Sequence, residues 1–132
     1  MRKDGRQDKP LLNSIQMKRK FEVAFRGVRI FFQTEPTAWF YLGVAVAVSV
    51  IGWLLHITLL EWLAIFLCIG LVFVSEMINS SIEKLSDLVD KNYNSEIKNI
   101  KDISAGAVLL AAIISVLVGG FIIVPRLIQL LG

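Results

Sequence analysis

The sequence predicts an all-α membrane protein: one amphipathic surface helix followed by three transmembrane helices. Three observations carry this. The 132-residue chain is 55% hydrophobic with a mean hydropathy of +0.66, too apolar for an ordinary soluble domain of its size. Two stretches, Phe40 to Leu60 and Ile103 to Val124, run 21 and 22 residues without Lys, Arg, Asp or Glu, and about 20 apolar residues cross a bilayer as a helix. A third stretch, Trp62 to Ser75, is uncharged for 14 residues and then meets Glu76. The size suits a single membrane domain, 1–132.

The elements follow in order. Residues 1–13 are polar, with Gly5 and Pro10, and read as a mobile tail. Asn13 or Ser14 offers a helix cap. Over 14–34, Met17, Phe21, Ala24, Phe25, Val28, Phe31 and Phe32 recur at helical spacing among Lys18, Arg19, Arg26 and Arg29. A basic amphipathic helix in the headgroup layer has this pattern. Pro36 suits the first turn of a new helix, so the first span is placed at 37–57. A short outer turn leads to a second span with a cytoplasmic extension, 59–91. The segment Asn92 to Glu96 has turn composition, and the third span is placed at 98–125, ending at Pro125. Its Gly106, Ser115, Gly119 and Gly120 would permit close helix approach. The lone Cys68 lies in an apolar run and reads as a buried, inert thiol.

Cation counting orients the chain. Residues 1–35 hold nine of the fourteen Lys and Arg, the stretch from Lys84 to Lys101 holds four, the turn around His56 none, and only Arg126 lies beyond the third span. The N-terminus is therefore expected in the cytoplasm and the C-terminus outside. His56 falls at the outer interface, and Trp53 and Trp62 read as an outer aromatic belt.

Glu76 is the residue a greasy helix does not need. The 14 residues before it rise about 21 Å, against a hydrocarbon core of about 30 Å. If the segment spans, Glu76 lies below the membrane surface, where an acid is costly and points to function. On a helical wheel, Glu76, Asn79, Ser80, Glu83, Asp87 and Asp90 share one face about 100° wide. Solvation at the end of the helix accounts for Asp87 and Asp90 but poorly for Glu76. Stacked acids repel, and oxygen donors in a row suit a hard cation such as Mg²⁺. Glu35, before the first span, and Lys101 and Asp102, at the start of the third, belong at the same depth. Three helices would thus bring acids and a cation to one membrane plane, as a phosphate and metal site requires. Neither a GxxxxGK[ST] loop nor a kinase glycine-rich loop occurs, so any nucleotide site is of another kind.

The runs EMINSSIEKLSDLV, from Glu76 to Val89, and KDISAGAV, from Lys101 to Val108, resemble the small three-span bacterial lipid kinases of the diacylglycerol kinase and undecaprenol kinase family. That family carries E-x-x-N-[ST]-[AS]-x-E-x-x-x-D followed by K-D-x-x-[AS]-[GA]-A-V. The likeness extends over about residues 18–124 and takes in FEVAFRGVR, the acid Glu35 and the LEW that opens the second span. It implies an ATP- and Mg²⁺-dependent kinase that phosphorylates a membrane lipid alcohol in the bacterial inner membrane. Glu76 would be the general base. Glu35 and Glu83 would hold metal, with Asn79, Glu83, Asp87, Lys101 and Asp102 around the nucleotide and phosphates. The resemblance also implies a homotrimer whose active sites are shared between neighbouring chains, with no nucleic-acid partner. KDISAGAVLLAA and LEW look more like the undecaprenol branch than the diacylglycerol branch. One departure stands out: family members commonly carry Asn and Arg after the acid, where this chain has Pro36, Thr37, Ala38 and Trp39.

Two other functional classes fit only part of this pattern. A small proton-coupled transporter would use an embedded Glu76 but has no need of Asn79, Glu83, Asp87, Lys101 and Asp102 together. A non-enzymatic scaffold leaves the whole acidic stripe unexplained.

Overall fold

The computed structural model describes residues 8–92 and 94–131, with the side chains of 8–13 left aside. Among the described residues there are four helices: α1 (Asp8–Thr34), α2 (Pro36–Leu54), α3 (Leu59–Val89) and α4 (Ser95–Leu131). The last three are long and apolar enough to cross a membrane.

α1 forms a compact unit by itself, distinct from 35–132. It begins at Asp8, so the tail expected over 1–13 is helical in its second half, and residues 1–7 lie outside the described residues. Pro10 is tolerated because a helix's first turn has no partner for its N–H. Met17, Phe21, Phe25 and Val28 share one face and are all exposed, which leaves an apolar stripe uncovered.

In the second unit α3 runs along α4, and α2 touches α3 over a shorter length. Few side chains are buried, and large apolar residues such as Trp53, Leu67, Ile103 and Phe121 are more than half exposed. Such surfaces suit a hydrocarbon solvent. Between α2, α3 and α4 lies an apolar cavity of about 150 Å³ lined by Tyr41, Ile65, Cys68, Phe73, Ser115 and Gly119, among others. Cys68 is half-buried rather than buried. The Ser115 hydroxyl lies 2.8 Å from Ala111 O on its own helix and 3.3 Å from Cys68 O across the interface, with its one proton shared between these acceptors.

The expected close approach at the α4 glycines is not found within the chain. A Cβ at Gly106, Gly119 or Gly120 would meet nothing within 4 Å, whereas one at Gly52 would lie 2.9 Å from Ile57 Cδ1. The cause is the α2–α3 turn. His56 N donates to Trp53 O and Ile57 N to Gly52 O, both at 3.2 Å. These are the two bonds of a Schellman ending, with His56 in the left-handed position (φ 49°) that glycine usually fills. Thr58 then caps α3. Its backbone N–H donates to Glu61 Oε2 (2.6 Å), and Glu61 N donates back to Thr58 Oγ1 (3.4 Å), a capping box.

α4 also differs from expectation. It starts at Ser95, where Asn94 Oδ1 accepts from Glu96 N (3.0 Å) and Ile97 N (3.4 Å), and it continues through Pro125 to Leu131. Proline costs a backbone bond, but the turn beyond it is tied down by Arg126. The guanidinium donates to Glu61 Oε2 (2.5 Å) and Oε1 (3.4 Å), and to the carbonyls of Leu55 and His56 (both 3.2 Å). One side chain thus joins α4 to the cap of α3 and to the carbonyls left over at the end of α2. Arg126→Met should lower the unfolding temperature in detergent by several degrees. It strands a half-buried carboxylate and two carbonyls at once. An unchanged unfolding temperature would show that the joint is not stabilising.

Candidate active site at the acidic stripe of α3

The site is built at the end of the bundle opposite Arg126. Glu35, extended (φ −114°, ψ 106°), precedes α2, and Pro36 occupies its first turn. A residue before proline is held out of the helical region, so α1 stops at Thr34 and α2 starts afresh. α3 continues for more than three further turns past Glu76 to Val89, and Asp90 N donates to Ser86 O (3.1 Å) at its end. Asn92 N closes the following turn on Asp90 Oδ1 (2.8 Å).

Glu76 is 7% exposed and Asn79 8%. The Thr37 hydroxyl, in the first turn of α2, donates to Glu76 Oε1 at 2.9 Å. One turn further, Asn79 Nδ2 donates to Glu83 Oε1 at 3.3 Å. Asn79 Oδ1 is buried with no hydrogen-bond partner. An unsatisfied buried amide oxygen is expensive and calls for something to meet it. At the next level Lys84 Nζ lies 2.7 Å from Glu35 Oε1. Further out, Lys101 Nζ donates to Asp87 Oδ1 at 3.0 Å, joining α4 to α3. Asp102 instead pairs with Lys98 on its own helix at 2.6 Å, with both side chains largely exposed.

The expected residues therefore form a ladder rather than one cluster. Glu76, Asn79 and Glu83 line one helix, Lys101 reaches Asp87, and Glu35 meets a lysine. Among the described residues no three acid, His or Cys side chains converge as a metal cage. The reason is helical rise: Glu76 and Asp87 are eleven residues apart, about 16 Å along the axis. The donor set still fits Mg²⁺ chemically. That ion commonly takes only one or two carboxylates, the rest of its shell being water and substrate phosphate. Glu83 supplies a carboxylate beside the unpartnered Asn79 oxygen, and Glu35 a further carboxylate next to Lys84.

Several residues of the site escaped sequence reasoning. Lys84 lies about 80° round the wheel from Glu76 and carries the opposite charge, so it did not join the stripe. Thr37 was visible only as a departure from the family pattern. Ser86 and Ser104 are both 7% exposed, and small polar residues at helix contacts are their only sequence signal.

A model of the family described as prokaryotic diacylglycerol kinase matches residues 22–123. Among known proteins, the chain is 37% identical over 109 residues to one from Bacillus subtilis (strain 168) named undecaprenol kinase. That match covers 83% of this chain and 89% of the relative. It is also 37% identical over 112 residues to one from Synechocystis sp. (strain ATCC 27184 / PCC 6803 / Kazusa) named diacylglycerol kinase. There the match covers 84% of this chain but only 64% of the longer relative. The transporter and scaffold readings fall away at this point. A helical membrane chain with a buried carboxylate at the head of an acidic ladder, matched over most of its length, belongs to the prokaryotic diacylglycerol kinase family and is a lipid kinase.

Proposed function

We propose that the chain transfers the γ-phosphoryl group of ATP to the hydroxyl of a membrane lipid alcohol, with undecaprenol favoured over diacylglycerol. The observation that carries the mechanism is the buried Glu76 carboxylate already accepting a hydrogen bond from a hydroxyl at 2.9 Å, the reach a general base needs. Glu76 takes the proton of the lipid hydroxyl as its oxygen attacks the γ-phosphorus. The bond from that phosphorus to the β–γ bridging oxygen breaks, and ADP leaves with the electron pair. Asn79, Asp87, Lys101 and Asp102 surround the nucleotide and phosphates, and Glu35 and Glu83 are the residues that would hold Mg²⁺. When bound, that ion neutralises charge on the phosphates, which is most of what phosphoryl transfer asks of a protein.

The charge asymmetry supports an inner-membrane placement with the N-terminus and the ladder on the cytoplasmic side and the C-terminus outside. The uncovered apolar stripe of α1 supports its lying on that membrane surface. Long exposed apolar faces on α2 to α4 and the unpartnered Asn79 oxygen support a homotrimer in which neighbouring chains complete each site. The LEW and KDISAGAVLLAA runs, with near full-length coverage of the Bacillus relative, support undecaprenol.

Purified protein in mixed micelles with Mg-ATP, given undecaprenol or diacylglycerol at equal mole fraction, tests the assignment. The expected result is a higher kcat/KM for undecaprenol. The reverse order would assign diacylglycerol, and phosphorylation of neither would overturn the mechanism.

A further inference from the structure

We infer that Thr37, in the stretch where family members commonly carry Asn and Arg after the acid, is a positioning residue for Glu76. The inference rests on Glu76 acting as the base. A carboxylate on a helix can swing among rotamers, and a general base works only where one oxygen meets the proton it removes. Glu76 Oε1 is held at 2.9 Å by the Thr37 hydroxyl, so Oε2 is the oxygen left for the lipid hydroxyl.

The local sequence makes Thr37 a stiff anchor. Pro36 fixes the backbone at the start of α2. Ala38, fully buried at 0% exposure, seats the same turn. Thr37 itself is β-branched and restricted at χ1. Tyr41 lies one turn further along α2 on the same side. The departure Pro36-Thr37-Ala38-Trp39 thus contains both the rigid turn and the donor. A hydrogen bond to an ionised group is stronger than one between neutral groups, so this single contact can hold the carboxylate's orientation. Thr37 is exposed, so replacing it should disturb little packing.

The test uses Thr37→Val, which keeps the shape and removes the donor, and Thr37→Ser, which keeps the donor. For Thr37→Val, kcat should fall by about tenfold or more, the loss expected for one charge-assisted hydrogen bond. The KM for the lipid should stay within about twofold, and Thr37→Ser should restore kcat. Placed on Glu76→Gln, Thr37→Val should lower the residual rate no further, because the two residues act as one unit. Unchanged kcat in Thr37→Val, or equal losses in Thr37→Val and Thr37→Ser, would overturn the inference. So would a loss that appears only in KM or tracks a fall in unfolding temperature. The base assignment is checked separately: a fully active Glu76→Gln removes Glu76 itself. An inactive Glu76→Gln beside a fully active Thr37→Val removes only the role given to Thr37.

Discussion

Glu76→Gln is expected to lower kcat by about 10²- to 10⁴-fold, the span that a positioned general base contributes, without unfolding the chain. The substitution keeps the side chain's length and an oxygen that can still accept from Thr37. It also removes an ionisable group from a site only 7% exposed. Burying a charge is costly, so the variant should be at least as stable as the parent. Loss of turnover with equal or higher stability separates a catalytic role from a structural one. Turnover with the preferred lipid and thermal unfolding in the same detergent are the two measurements. A variant that retains its turnover would mean that another group takes the proton.

Lys101→Met should lower kcat by about 10²- to 10³-fold, the usual cost of removing one donor that stabilises transition-state charge. In the resting protein Lys101 pairs with Asp87 at 3.0 Å, and neither side chain is buried. Exposed pairs contribute little to stability, so the fold should not register the change. The split between kinetic constants decides the role. A fall in kcat with little change in the KM for ATP marks a contact made to the transferring phosphoryl group. A raised KM for ATP at unchanged kcat marks ground-state binding alone. Lys101→Arg should recover part of the rate, because it keeps the charge but changes its geometry.

The three spanning helices were legible in the sequence because hydropathy is a local property, as was the placing of Glu76 and Asn79 on one helical face. Long-range pairings were not legible. Arg126 meets Glu61 across 65 positions, and periodicity carries no record of such a contact. In the sequence Arg126 is the one cation past the last span, and Glu61 is part of the LEW run. Pro125 suggested a stop, yet the helix continues because the next residue is held by four acceptor contacts. Glycine content pointed to close approach on α4, whereas the tight contact is at Gly52, where a Schellman ending folds Ile57 back onto α2. Lys84 and Thr37 were missed for a related reason. Each completes an acid from a distant part of the chain, Lys84 with Glu35 and Thr37 with Glu76.

The Arg126–Glu61 joint has a bearing on the chemistry at the far end of α3. It ties Glu61 to α4 at the end of the bundle away from the ladder, the outer end in the proposed orientation, and Glu76 follows fifteen residues later, about 22 Å along a straight helix. A hydrocarbon core of about 30 Å would then leave the carboxylate roughly 8 Å short of the opposite interface. In that orientation the helical stretch between the two glutamates would work as a depth gauge, with its zero at the outer surface and its reading taken at the inner one. With Glu76 as the proposed base, the thickness of the host bilayer would enter the reaction directly. A thin membrane would lift that carboxylate toward water and a thick one would sink it among acyl chains, so hydrophobic mismatch would become a setting for how deep the acceptor hydroxyl must descend.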